Sequence, residues 1–204
     1  ISVSRSYPAV SVSRVRGFGN DSSAVGWVFR FNQSMAGRAT LRVHRSDFAQ
    51  QPPTQCQWWQ YGLNVSGTGR QQTRTIEPEL QTVVAPHGCV SLRYGNLLED
   101  DGTVMNQFGN ITYDQSDIFI LASGEEQQYF TPHFTYHGYQ YVWVTGLGDK
   151  RPPLSMLTAH KTNSAVDHDN HGHVGTDNSV LNKIYHAAAM STSDVLQSIG
   201  MDVP

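Results

Sequence analysis

Residues 130–147 read F-T-P-H-F-T-Y-H-G-Y-Q-Y-V-W-V-T-G-L, the densest aromatic and β-branched segment of the chain. From Tyr139 the residues alternate, with Tyr139, Tyr141 and Trp143 on one face and Gln140, Val142 and Val144 on the other. A period of two predicts a β-strand, because successive side chains of a strand point to opposite sides of the sheet. Pro132 has no backbone donor and suits a strand start or an edge. Gly138 divides the run and predicts a bulge or a tight bend.

Other segments repeat the pattern. Trp27, Phe29 and Phe31 share one parity, as do Ala39, Leu41 and Val43 against Arg38, Thr40, Arg42 and His44. Val90, Leu92 and Tyr94 alternate with Ser91 and Arg93. Glu99 to Gly102 then forms a turn, and Leu154 to Lys161 gives one more strand. Ser6 to Arg16 is spaced as a single extended segment. The 204 residues carry 18 Gly and 9 Pro, with 38% apolar and 15% charged. That composition predicts a mainly β fold, an antiparallel sandwich rich in turns.

From Asp177 the period changes. Leu181, Ile184, Ala188, Val195 and Ile199 recur at helical spacing, Ala187 to Ala189 favour helix, and Asp177 or Asn178 is the N-cap. The spacing predicts a helix over 179–199.

A net charge of −3 without a Lys/Arg run argues against nucleic acid as a partner. No apolar stretch approaches the length that crosses a membrane. The first residue is Ile1, which suggests a processed product or a segment of a longer protein. Four N-x-S/T sequons, at Asn20, Asn32, Asn64 and Asn110, lean toward a secreted glycoprotein. Cys56 and Cys89 fit that compartment if they pair, and the bridge would stabilise by roughly 3–4 kcal/mol. Two buried free thiols are the alternative.

Between His44 and Cys89 lies a stretch rich in Gln, Thr, Gly and Pro with little periodicity, expected to be a long loop. Its strongest feature is Trp58-Trp59-Gln60-Tyr61. Trp58, Trp59 and Tyr61 are candidate sugar-stacking residues, since C–H faces pack on flat rings. They serve equally well as anchors for the insertion. Asp167-His-Asp-Asn-His-Gly-His173 concentrates histidines and aspartates, but its spacing fits no zinc pattern and no cysteine partners it. A solvated loop is the reading, with no metal and no cofactor expected. Asp100 and Asp101 read as a solvated turn rather than a catalytic pair.

Several of these segments resemble the α-L-rhamnosidases in that family's order. F-T-Y-H-G-Y-Q-Y-V-W-V-T-G-L (134–147) resembles the end of the β-sandwich preceding its catalytic helical barrel. Phe31-Asn-Gln-Ser-Met-Ala-Gly37 is similar to its F-G-Q-N-x-A-G turn, with Asn32 in place of Gly. V-S-L-R-Y-G-N-L-L-E-D-D-G-T-V (90–104) resembles L-R-Y-G-E-x-L-x-x-D-G-T. Tyr113-Asp114 to Leu121 resembles A-T-D-x-Y-I-L, and Gly124-Glu125-Glu126 the polar turn that follows. Asn178-Ser-Val-Leu-Asn-Lys-Ile-Tyr185 resembles the S-N-P-L-L-N-K-I-Y that opens the first barrel helix, without its Pro.

The resemblance implies a β-sandwich over 1–161 with an insertion at 45–88, a crossing loop over 162–177, and the start of an (α/α)6 barrel at 178–204. It implies hydrolysis of terminal rhamnosyl residues with inversion, by acidic residues that in the family follow the D-V-P ending this sequence. No catalytic residue is therefore assigned within the chain. The expected partners are the remaining helical catalytic segment and carbohydrate. The alternative is a non-catalytic carbohydrate-binding or structural sandwich.

Overall fold

The computed structural model describes residues 2–18, 21–48, 55–66, 73–105, 115–164, 174–197 and 199–200, with backbone alone for 2–4, 17–18, 21–24, 55–66, 73–81, 197 and 199–200. In chain order the strands are β1 (Ser2–Pro8), β2 (Ser11–Phe18), β3 (Asp21–His44), β4 (Gln55–Ser66), β5 (Thr73–Val84), β6 (Cys89–Gly95), β7 (Ser116–Ile120), β8 (Gln127–Phe130), β9 (His137–Thr145) and β10 (Leu157–Asn163). Helix α1 (Ser179–Val195) follows, then the short β11 (Leu196–Gln197) and β12 (Ile199–Gly200). All pairings are antiparallel.

The 24 residues of β3 organise the sheet. Its first half, Val25–Arg30, lies between β2 and β9, and β9 continues through β6 to the edge strand β7. Its second half, Gly37–His44, pairs with β10 and then β8, and β10 carries β1. One strand thus belongs to two leaves, and the sheet curls so that they face each other across a common core. Phe29 and Phe31 meet Leu41, Leu92, Tyr139, Met156 and Leu157 there, all fully buried. Truncating a buried Phe of this kind costs about 3–5 kcal/mol.

The segment 31–37, read as a turn, does not reverse the chain. Between the pairs Arg30↔Tyr141 and Met35↔Tyr139, β3 spends three more residues than β9. That excess bends β3 from one leaf into the other, as bulges do. It also resets the phase of β9: Tyr139 faces the main core with Val142 and Val144, whereas Tyr141 and Trp143 face a smaller cluster with Val15, Val28 and Val104. The uniform alternation expected from Tyr139 onward is therefore broken at Gln140, whose amide donates to Phe31 O at 3.3 Å. Gly138, expected as the bulge, pairs regularly with Ala36.

Two glycines are required by the bend and the closing turn. A Cβ at Gly37 would lie 2.1 Å from His160 O, and Gly146 has φ +91° with Cys89 O in the same position. Pro132 sits buried in the β8–β9 connection. Ser6 to Arg16 is not one strand, because the chain breaks at Ala9-Val10 between β1 and β2. The expected long loop between His44 and Cys89 contains the β4–β5 hairpin, paired from Gln55↔Val84 to Ser66↔Thr73. The sequence carried the signal, since Trp59, Tyr61, Leu63 and Val65 alternate with Gln60, Gly62, Asn64 and Ser66, but the Gln-, Thr- and Gly-rich surroundings read as a loop. Among the described residues, no helix is long and apolar enough to cross a membrane.

Candidate functional site

Three polar groupings stand out, two on the sheet and one where the sheet meets the helix. In the first, the Tyr94 hydroxyl donates to Asp117 Oδ2 at 2.8 Å, and His137 Nε2 lies 3.2 Å from the same oxygen. The His137 ring stacks on Tyr94 with centroids 4.2 Å apart. Gln115 fixes the adjacent backbone, accepting from Gly138 N at 2.8 Å and donating to Gly138 O at 3.3 Å. Burial, and then the charge of Asp117, push the Tyr94 phenol well above its ordinary range; Tyr139 is raised by the same causes. The Tyr139 hydroxyl donates to Arg38 O at 2.8 Å. Sequence reasoning missed this grouping, because its members come from three strands and carry no local motif.

The second is a chain of hydrogen bonds across the outer side of β10. His160 bonds to Ser6 Oγ (2.9 Å) and Thr40 Oγ1 (2.8 Å), and Thr40 also meets Thr131 Oγ1 at 2.7 Å. Desolvation, aided by the charge of Arg38, lowers the His160 pKa, so the neutral ring is favoured. The third holds the helix: Lys161 Nζ pairs with Asp194 Oδ1 at 2.7 Å, Asn163 Nδ2 donates to Ser193 Oγ at 2.9 Å, and Ser164 N donates to Leu196 O at 2.8 Å.

Three further carboxylates are held by structural donors. Asp101 accepts from the hydroxyl and amide of Thr103, which lower its pKa, and closes the exposed turn expected at Glu99–Gly102. Asp149 pairs with Arg14, and Asp47 accepts from His44 N. Among the described residues, no three His, Cys, Asp or Glu groups come together as a metal site.

Trp58, Trp59 and Tyr61 lie on β4, their backbones opposite Gln81, Leu80 and Pro78. Their side chains lie outside the described residues. Cys56 is opposite Val83 on the same hairpin, while Cys89 opens β6, buried against Ala85. No free cysteine occurs among the described residues. Asn32 is exposed on β3 within the bulge, and Asn64 is opposite Thr75 on β4. Asn20, Asn110 and the histidine-rich segment 167–173 lie outside the described residues.

Helix α1 is capped as expected: Asn178 Oδ1 accepts from Val180 N (2.9 Å) and Leu181 N (3.4 Å). It ends at Val195 rather than at Ile199, where the chain turns into β11 and is caught by Ser164. Its amphipathicity is reversed relative to the sheet. The contacts to β10 come from its last turn, where Ser193 is buried, with Ala189 and Met190 partly covered. Ile184 is nine positions from Ser193, which at about 100° per residue places it on the opposite side. Val180, Leu181 and Ile184 are 60%, 52% and 59% exposed. The apolar stripe points away from the sandwich.

Residues 65–163 match the family model for the bacterial alpha-L-rhamnosidase concanavalin-like domain. The comparison with curated proteins returned no match. Among solved structures, the chain is similar to an alpha-L-rhamnosidase from Dictyoglumus thermophilum, at 20% identity and TM-score 0.60, covering 97% of this chain and 18% of that one. It is similar to the Streptomyces avermitilis alpha-L-rhamnosidase complexed with L-rhamnose, at 19% identity and TM-score 0.58, covering 98% and 14%. A native rhamnosidase from Aspergillus terreus aligns at 22% identity and TM-score 0.58, covering 96% and 18%. The chain thus spans less than a fifth of the length of each of these structures.

Proposed function

We propose, from the premise that residues 65–163 are a rhamnosidase-family region, that this chain is the N-terminal portion of a secreted α-L-rhamnosidase-like glycoside hydrolase. In this reading the sandwich, residues 1–161 with the insertion 45–88, supports a helical catalytic domain that opens at 178 after the 162–177 crossing. The observation that carries it is the outward apolar stripe of α1. An amphipathic helix of 17 residues is marginal in water without something to pack on. Here the sheet takes the small and polar side and leaves the apolar side for another segment. Larger rhamnosidase chains that contain an equivalent of this whole region support the same reading.

The chemistry assigned to the following segment is hydrolysis of a terminal rhamnosyl residue with inversion. One carboxylic acid protonates the glycosidic oxygen while a second carboxylate activates water on the opposite face of the sugar. The carboxylates of residues 1–204 do not take part. Trp58, Trp59 and Tyr61 supply a stacking surface for carbohydrate. The sequons at Asn20, Asn32, Asn64 and Asn110 carry glycans, and Cys56 and Cys89 form a bridge at the base of the hairpin. The exposure of Asn32 and the lack of a free thiol among the described residues support these two assignments.

The test is an assay of the longer polypeptide, extended past Pro204, on an aryl rhamnoside, with the anomer of the released sugar followed by NMR. Inverted rhamnose should be released first, and residues 1–204 alone should release none. A longer polypeptide that binds rhamnosides without cleaving them would instead assign a non-catalytic sandwich.

A further inference from the structure

Leu157, Ala159, Ala39 and Leu41 turn one face of β10 and β3 to the core, so His160, Arg38, Thr40 and Arg42 stand on the other. Across the strands Ser6, His160 and Arg38 are direct neighbours, a row about 10 Å long. The Ser6, Thr40 and Thr131 hydroxyls and the His160 ring are joined along it in one chain of hydrogen bonds. Each hydroxyl of such a chain can turn to donate or to accept.

Arg38 is not matched in this way. Its side chain makes one hydrogen bond, from Nη1 to Pro132 O at 3.5 Å, which is long for N–H···O. It pairs with no carboxylate among the described residues. Arg42, further along the same face, pairs with none either: Nη2 donates to Ser155 Oγ at 3.1 Å, and the buried Nε has no partner. These guanidiniums lack counter-charges on a chain whose net charge is −3, so the positive face is local and not part of a general excess of base.

Phe134 flanks the row. It follows Pro132, whose carbonyl receives Arg38, by two residues, so its Cα is within about 7 Å of that proline. It has φ +61°, the only described non-glycine residue at positive φ, and its ring is fully exposed. The conformation has a cost for a bulky residue and persists because Thr131, Pro132 and Gly138 are held on either side of it.

We propose that this outer face binds a carboxylate-bearing saccharide, a uronate-containing glycan, at Arg38, His160, Thr40 and Phe134. The planar fork of Arg38 meets the carboxylate, the hydroxyl chain exchanges hydrogen bonds with the sugar hydroxyls, and the Phe134 ring covers a C–H face. An acidic peptide supplies the carboxylate but not the hydroxyls that the row can meet. The inference does not rest on the enzymatic reading, because every residue of the site lies on the sandwich.

The test is calorimetric titration of the chain with tri-galacturonate, tri-mannuronate, neutral mannotriose and tri-glutamate. At least one uronate should bind about tenfold tighter than mannotriose and tri-glutamate. Arg38→Gln should weaken that binding about tenfold, and Arg38→Lys should restore only part of the loss, since the charge returns without the fork. Phe134→Asn, which tolerates positive φ, should weaken it about threefold with the thermal midpoint unchanged or raised. Lys150→Gln removes an exposed positive charge elsewhere and should leave the affinity unchanged. Where Arg38→Gln lowers the thermal midpoint, the Arg38→Lys and Phe134→Asn affinities decide. Absence of uronate binding at millimolar concentration, equal binding of mannotriose or tri-glutamate, or equal losses in Arg38→Gln and Lys150→Gln would each overturn the proposal.

Discussion

Lys161 Nζ lies 2.7 Å from Asp194 Oδ1, joining β10 to the last turn of α1 at a place where both side chains are largely removed from water. With Asn163–Ser193 beside it, this pair fixes the helix by its C-terminal end. Replacing Lys161 by Ala leaves the Asp194 carboxylate without its cation in a desolvated site. The expected cost is about 3–5 kcal/mol, read as a lowered urea midpoint. A smaller loss is expected for Lys161→Ala combined with Asp194→Asn, since no unpaired charge then remains.

The other end of the helix is exposed and depends on its cap. Asn178→Ala removes the acceptor for Val180 N and Leu181 N. About 1 kcal/mol of local helix stability is expected to be lost, seen as reduced far-ultraviolet helical signal with the strand signal unchanged. An unaltered spectrum and unaltered exchange at Val180 and Leu181 would show that the cap is idle.

Alkali should destabilise the fold through Tyr94 and Tyr139. Both phenols have folded pKa values raised above the ordinary value, chiefly by burial. A raised folded value means the protonated form is favoured in the fold, so the stabilisation is complete below about pH 10 and lost as pH rises above it. Of the nine tyrosines, these two should stay silent in a 295 nm titration until the protein unfolds. Smooth titration of all nine in the folded state contradicts this.

Cys56 and Cys89 should be oxidised to one another. Thiol titration of the unreduced, denatured protein should find no free thiol, and reduction should lower stability by roughly 3–4 kcal/mol. Two titrating thiols before reduction would remove the bridge.

Much of the sandwich was legible because Trp27-Phe29-Phe31, Ala39-Leu41-Val43 and Val90-Leu92-Tyr94 each present one parity to the core. The bulge was not, because Asn32-Gln-Ser34 reads locally like a chain reversal, and only the partner strand β9 reveals that the chain runs on. The same hidden offset reassigned Tyr139 from the face of Trp143 to that of Val142. The helix was legible in its period and cap, yet the direction of its stripe was not. Periodicity reports that a helix has an apolar side, and only the contacts of Ser193 and Asp194 show that this side is turned away. The Tyr94–Asp117–His137 grouping depends on strand order and was beyond any reading of spacing.

The central claim is that the apolar stripe of α1 awaits a further segment of polypeptide, and amide exchange tests it most directly. In monomeric residues 1–204, amides from Leu181 to Ala188 should exchange about tenfold faster than those near Ser193, and should become protected in the longer polypeptide. Strong protection across Leu181 to Ala188 in a proven monomer of residues 1–204 would contradict the account.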